Sequence, residues 1–213
     1  MERVPLILAF AYLLGSLPFA WLVGKLLRGI DIRQHGSGNA GATNVFRVMG
    51  PGPGCVVAAL DVGKGWMAVW VANALSDSPG SAIRLAAALA AMAGHSWPIW
   101  LGFRGGKGVL TAAGAFLNLA WLPLACSLAI FGVVFGISRY VSLGSLIGAA
   151  ALPVMIAVIP GEWRNPAVFG AGLVVAILIT ITHIPNIKRL VRGEEHGFSW
   201  RKRRERRGKR GRS

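Results

Sequence analysis

The stretch GVLTAAGAFLNLAWLPLACSLAIFGVVFGIS, residues 108–138, decides how many times this chain crosses a bilayer. One continuous helix of that length would be about 46 Å long, whereas about 30 Å of hydrocarbon is spanned by about 20 residues. Two crossings, with a turn near Ala120-Trp121-Leu122-Pro123, make both arms short. Charge separates the readings. With two crossings, Lys25, Arg28, Arg33, Arg47, Arg104, Lys107, Arg139 and the basic C-terminal end share one side, and Arg3, Arg84 and Arg164 take the other. With one crossing, Arg139 and the C-terminal end fall opposite Arg47 and Lys107, against the bias that keeps Lys and Arg cytoplasmic.

Outward from this stretch, apolar runs near 4–26, 53–75, 81–101, 143–160 and 166–184 join 108–120 and 123–138. The expected fold is an all-α polytopic integral membrane protein with seven transmembrane helices, its N-terminus outside and its C-terminus cytoplasmic. Composition agrees. Of 213 residues, 54% are hydrophobic and only 15% charged, against about a quarter charged in soluble domains, and the mean hydropathy is +0.56. The two short arms predict a thin place in the bundle wall, because mismatch is relieved by local thinning or snorkelling. The opening MERVPLILAFAYLLG resembles a signal h-region, but it lacks a net basic start and a following A-x-A site, so it reads as a retained first span. Residues 1–198 read as one transmembrane domain and 199–213 as a basic, disordered cytoplasmic tail.

A net charge of +15 raises the possibility of a nucleic-acid partner. The densest cluster, however, follows Lys188 directly beside a span, where basic residues act as a topology signal and attract anionic lipid. No nucleic acid is expected. Cys55 and Cys126 lie inside apolar runs without metal-type spacing, so they read as small hydrophobes. Neither a metal nor a cofactor is expected.

Two glycine-rich basic loops interrupt the apolar chain: GSGNAGATNVFR from Gly36 to Arg47, and FRGGKG from Phe103 to Gly108. Glycine lets successive N–H groups point at one anion. Ser37, Asn39, Thr43 and Asn44 add side-chain donors beside Gly38, and Arg47 can make a bidentate contact with phosphate. A flexible interfacial loop is the plainer alternative. The second loop resembles a phosphate loop without the Walker spacing. A helix starting just after it aims its amides and positive dipole end at the same anion as Lys107 and the flanking Gly105, Gly106 and Gly108. Arg104 reads equally as a ligand or as a stop-transfer charge.

The expected topology brings both loops, the Ser138–Ser145 turn and the His183–Asn186 segment to one face. Ser142 and Ser145 can donate to the same phosphate or cap the sixth span. His183 can titrate and reach a substrate hydroxyl, or simply be a polar cap at the interface, and Asn186 follows it at the end of the seventh span. Pro185 favours the first turn of a new helix there. His95, in GHSWPIW, reads as structural. Asp61 and Lys64, three residues apart, read as a bundle-facing scaffold pair beneath the site. Familiar catalytic sets are missing: no histidine has an aspartate five positions later, and neither cysteine sits in a nucleophile arrangement. Such a site suits a substrate that is already activated.

GSGNAGATNVFR, GHSWPIWLGFRGGKGVLT, RYVSLGSL and HIPNIKRLVRGEE, in that order, closely resemble the bacterial acyl-phosphate-dependent glycerol-3-phosphate acyltransferases (PlsY-like). GSLPFAWLVGK and LDVGKG resemble the same family, and the resemblance runs to about Glu195. It implies an inner-membrane enzyme that moves a fatty acyl group from acyl phosphate to the sn-1 hydroxyl of glycerol-3-phosphate. The products would be lysophosphatidic acid and phosphate, the first acylation of phospholipid synthesis. It further implies phosphate binding by Ser37, Arg47 and Lys107, with Ser145 and Ser142 completing a third motif, and positioning of the glycerol hydroxyls by His183 and Asn186. A carrier of a small phosphate ester is the competing class, disfavoured because neither loop has a second copy where carriers show internal repeats. A lipid-binding assembly factor acting through the tail is a third.

Overall fold

A computed structural model describes residues 3–76 and 81–198. Ten α-helices follow in order: α1 Val4–Gly15, α2 Phe19–Arg28, α3 Ala42–Met49, α4 Pro51–Leu75, α5 Ser81–Ser96, α6 Val109–Leu119, α7 Trp121–Ser138, α8 Val141–Val158, α9 Pro166–Thr182 and α10 Ile184–Val191. Short 3₁₀ turns occur at Ile32–Gln34 and Ile99–Leu101, and no strand occurs among the described residues. The tail expected to be disordered lies outside them.

All seven apolar runs are helical, with differences that local chemistry explains. The first run breaks between Gly15 and Phe19, where Pro18 has no N–H to continue the ladder. The third ends at Ser96, because Pro98 disfavours a helical residue before it. The decisive stretch breaks at Ala120, whose φ of −161° and ψ of 66° leave the helical region. Shortness is confined to one arm. α6 has 11 residues, about 16 Å, whereas α7 starts already at Trp121 and reaches 18. Among the described residues, four segments are long and apolar enough to cross a membrane: Val4–Arg28, α4, α7 and α8; α9 and α10, bent by 61°, make a fifth if counted as one span. Large side chains such as Leu26, Ile137 and Val191 face outward, as expected where the surroundings are lipid and not water.

In lipid, helices gain little by hiding apolar surface from one another, so close backbone approach matters more. The antiparallel pair α4 and α6 shows this. A Cβ added at Gly65 would lie 1.9 Å from the Thr111 carbonyl oxygen, and one at Gly114 would lie 1.9 Å from that of Val62. The pair α1 and α5 repeats it, Gly15 against Ala91 and Gly94 against Tyr12. Around these seams, Val69, Met92, Phe116, Leu152, Ile156 and Val175 belong to one apolar core. α7 packs on α8 and α8 on α9, and the amphipathic α3 lies against α4. The sequence reading left α3 inside a loop.

Candidate active site

At one end of the bundle, the loop before α3, the start of α6, the start of α8 and the α9–α10 joint enclose a cavity of about 160 Å³. Its first wall is built by Asn44. The buried amide donates to the carbonyls of Ile32 at 3.0 Å and His35 at 2.9 Å, and its oxygen accepts the Ser37 N–H at 2.9 Å. These three bonds curl residues 32–37 around the side chain. Gly36, at φ +63°, is required because a Cβ there would lie 2.3 Å from Asn44 Oδ1. Asn44 therefore shapes the wall, its amide committed to backbone groups and not offered to a ligand. Ser37, Asn39, Thr43 and Arg47 line the cavity with it, and Gly38 does not.

The second glycine loop divides by function. Gly105 N–H donates to the Ser96 carbonyl at 3.1 Å and Gly106 N–H to that of His95 at 3.0 Å. Both glycines are packed against the end of α5, where a Cβ would collide with His95 or Pro98. Their amides cannot also cradle an anion, and they lie outside the cavity lining, as does the exposed Arg104. The expectation that these three residues bind substrate therefore gives way to packing for the glycines and solvent for the arginine. Lys107 turns inward with Gly108, whose φ of +79° caps α6. Its ammonium donates to Asn186 Oδ1, and its carbonyl accepts from Thr182 Oγ at 3.1 Å. Burial pushes the Lys107 pKa down to about 8, with Arg189 and Arg47 adding to the shift and Glu195 opposing it.

His183 closes α9 and opens α10, and is 2% exposed. Its Nδ1 lies 2.8 Å from the Ile179 carbonyl. A carbonyl can only accept, so Nδ1 carries the proton and a neutral ring leaves Nε2 as an acceptor. Asn186 Nδ2 donates to Glu195 Oε1 at 2.8 Å. Ser142 and Ser145 both line the cavity, and Ser142 Oγ donates to Glu195 Oε1 at 3.1 Å.

Glu195 was missed from sequence. Arg189 Nε donates to its second oxygen at 2.9 Å. Burial alone would raise its pKa, but hydrogen bonds from Asn186, Arg189 and Ser142 together hold it below the usual carboxylate range. Gly193, at φ +69°, ends α10 and lets the chain turn back, so that the His196 carbonyl accepts from Arg47 at 2.9 Å. Asp61 and His95 complete the floor, where Lys64 lies 2.8 Å from Asp61 Oδ1. A second, apolar groove of about 50 Å³ begins at shared residues Val109, Phe131 and Ser145 and runs past Ala113, Leu124 and Leu152.

The cavity thus gathers the cations Arg47 and Lys107, neutral donors, and the imidazole acceptor of His183, while its two carboxylates, Asp61 and Glu195, are already paired with Lys64 and Arg189. That set can hold a phosphate, leave a hydroxyl beside Nε2 and admit an apolar chain through the groove.

Comparison with known proteins gives the same class. The family model described as glycerol-3-phosphate acyltransferase matches residues 5–193. A glycerol-3-phosphate acyltransferase of Synechococcus sp. (strain CC9902) is 47% identical over 191 residues, covering 89% of this chain and 92% of that protein. The crystal structure of PlsY (YgiH), an integral membrane glycerol 3-phosphate acyltransferase, in its glycerol 3-phosphate form aligns at 36% identity. Its TM-score is 0.85, with 92% of this chain and 96% of that chain covered. The lysophosphatidic acid form of PlsY aligns at 35% identity with a TM-score of 0.84 and the same coverage.

Proposed function

Because the chain belongs to the glycerol-3-phosphate acyltransferase family, we propose that it transfers a fatty acyl group from acyl phosphate to the sn-1 hydroxyl of glycerol-3-phosphate, releasing phosphate. The observation that carries this reading is the shared wall, at Ser145, Phe131 and Val109, of a polar cavity holding Arg47 and Lys107 and an apolar groove. A donor with a charged head and a fatty tail fits that junction.

In this proposal Arg47 and Lys107 bind phosphate oxygens, with Ser37, Asn39, Thr43 and Ser145 as neutral donors; Ser142 joins them only by turning its hydroxyl away from Glu195. The sn-1 oxygen attacks the acyl carbonyl carbon and forms the new ester bond. The carbonyl–oxygen bond to phosphate breaks, and phosphate leaves with that electron pair. The hydroxyl proton passes to His183 Nε2 or to the acceptor's own phosphate, and Asn186 orients the glycerol hydroxyls. Acyl phosphate is a mixed anhydride with a good leaving group, so alignment and charge stabilisation supply most of the acceleration.

The reading includes seven crossings with the N-terminus outside and the cavity facing the cytoplasm of a bacterial inner membrane. It also takes the basic tail to lie against anionic lipid. The acyl chain stays in lipid and enters sideways past α6, which is too short to fill the wall. A donor panel tests the central claim. Purified protein with labelled glycerol-3-phosphate should form lysophosphatidic acid from acyl phosphate and none from acyl-CoA or acyl carrier protein. Equal turnover of acyl-CoA would overturn the donor assignment.

A further inference from the structure

At the floor of the cavity, where Asp61 and His95 reach its lining, lies a polar cluster to which the proposed chemistry assigns no step. The Lys64 ammonium has three N–H groups and three partners: Asp61 Oδ1 at 2.8 Å, His95 Nδ1 at 2.8 Å and the Leu17 carbonyl at 3.1 Å. His95 Nδ1 is 3.5 Å from Asp61 Oδ1. The ammonium is the nearer partner, so Nδ1 accepts and Nε2 carries the ring proton. Asp61, Lys64 and His95 are all buried. Three elements are thereby pinned at one point: the α1–α2 joint, the middle of α4 and the end of α5.

A buried ion pair is weak evidence for stability, since apolar residues of similar volume often serve as well. What this cluster touches points to another role. The His95 ring lies flush against the second glycine loop, where a Cβ at Gly106 would sit 2.0 Å from Nε2. The carbonyl of the same histidine accepts the Gly106 N–H. Ring and carbonyl thus grip the peptide immediately before Lys107, while Thr182 fixes the Lys107 carbonyl from the other side.

We infer that Asp61, Lys64 and His95 are positioning residues that fix the glycine loop so that Lys107 meets the acceptor phosphate. The inference rests on the phosphate role proposed for Lys107. Lys64 sets the plane of the His95 ring, the ring sets Gly105–Gly106, and those peptides set the origin of the Lys107 side chain. None of the three needs to touch substrate.

A double-mutant cycle on the full-length protein in detergent, with acyl phosphate and glycerol-3-phosphate as substrates, tests this. His95→Leu should raise KM for glycerol-3-phosphate about tenfold, within the coupling expected inside one hydrogen-bonded network. KM for acyl phosphate should change by less than about twofold, as expected for a site sharing no partner with the change. His95→Asn keeps an acceptor near the Nδ1 position and should recover most of the lost affinity. In a Lys107→Met background, which has already lost the positioned group, His95→Leu should add almost nothing. Where His95→Leu does not extract as folded protein, the paired change Asp61→Asn with Lys64→Met unpins the ring without stranding a charge and is read the same way. An unchanged KM, or an effect of equal size with and without Lys107, would overturn the positioning role. A normal KM for Lys107→Met alone would instead remove the phosphate assignment and the inference together.

Discussion

At the scale of single residues, Lys107 carries the clearest expectation. Its pKa is about 8 because the ammonium is buried beside Arg189 and Arg47. A lysine binds phosphate only while protonated, so affinity should hold below pH 8 and fall as pH rises through that value. Measured KM for glycerol-3-phosphate should climb on the alkaline side, and Lys107→Met should be weak and flat across the same range. Its loss at neutral pH should be about 10- to 100-fold, the worth of one charge-assisted hydrogen bond. An alkaline rise persisting in Lys107→Met would assign the titration elsewhere. For His183, removal of a general base costs about 10²–10⁴ in rate. His183→Ala should show that loss in kcat and lose the acidic limb of its pH–rate profile; a surviving limb hands the proton to the acceptor phosphate.

Residues also show what the sequence could and could not disclose. Ser37, Arg47, Lys107, His183 and Asn186 stood out because donors and cations are conspicuous in an apolar chain, and all five line the cavity. Glu195 was invisible because an acidic residue beside a basic cluster reads as one more solvated charge. Gly105 and Gly106 look the same in sequence whether they cradle an anion or admit a histidine ring. Only the position of His95 separates the two.

Helices set the next scale. The break at Ala120 was legible, since Pro123 and the charge balance both demanded a turn near it. The break between α1 and α2 was hidden because apolar residues run on through it, and α3 was hidden by the glycines around it. α6 makes the functional difference at this scale. Ala113 on α6 lines the apolar groove and not the polar cavity. Filling the groove with Ala113→Trp should raise KM for a long-chain acyl phosphate about tenfold or more, since blocking one buried side-chain site costs about 1–3 kcal/mol. The acceptor KM should stay near normal. Steady-state kinetics with donors of several chain lengths checks this, and equal inhibition for short and long chains would count against a groove-bound tail.

For the whole molecule, the proposed arrangement has seven crossings with an outer N-terminus. Single cysteines introduced at Arg3 and Arg164 should react with an impermeant thiol reagent added outside intact cells. One at Arg139 should react only after lysis. Labelling of all three from one side would require a different number of crossings. Truncation after Phe198 removes only residues outside the described fold. If the tail serves only to lie against lipid, the truncation should leave turnover in detergent within about twofold, the range of changes that touch no part of the site.

Where α4 meets α6, and α1 meets α5, carbonyl oxygens of one helix occupy the space that a methyl group on the other would need. Gly15, Gly65, Gly94 and Gly114 are therefore frozen against drift by geometry alone, each intolerant even of alanine. A survival screen over every codon would score these four beside Arg47 and Lys107. An assay that counts folded protein separately from turnover would tell the two groups apart.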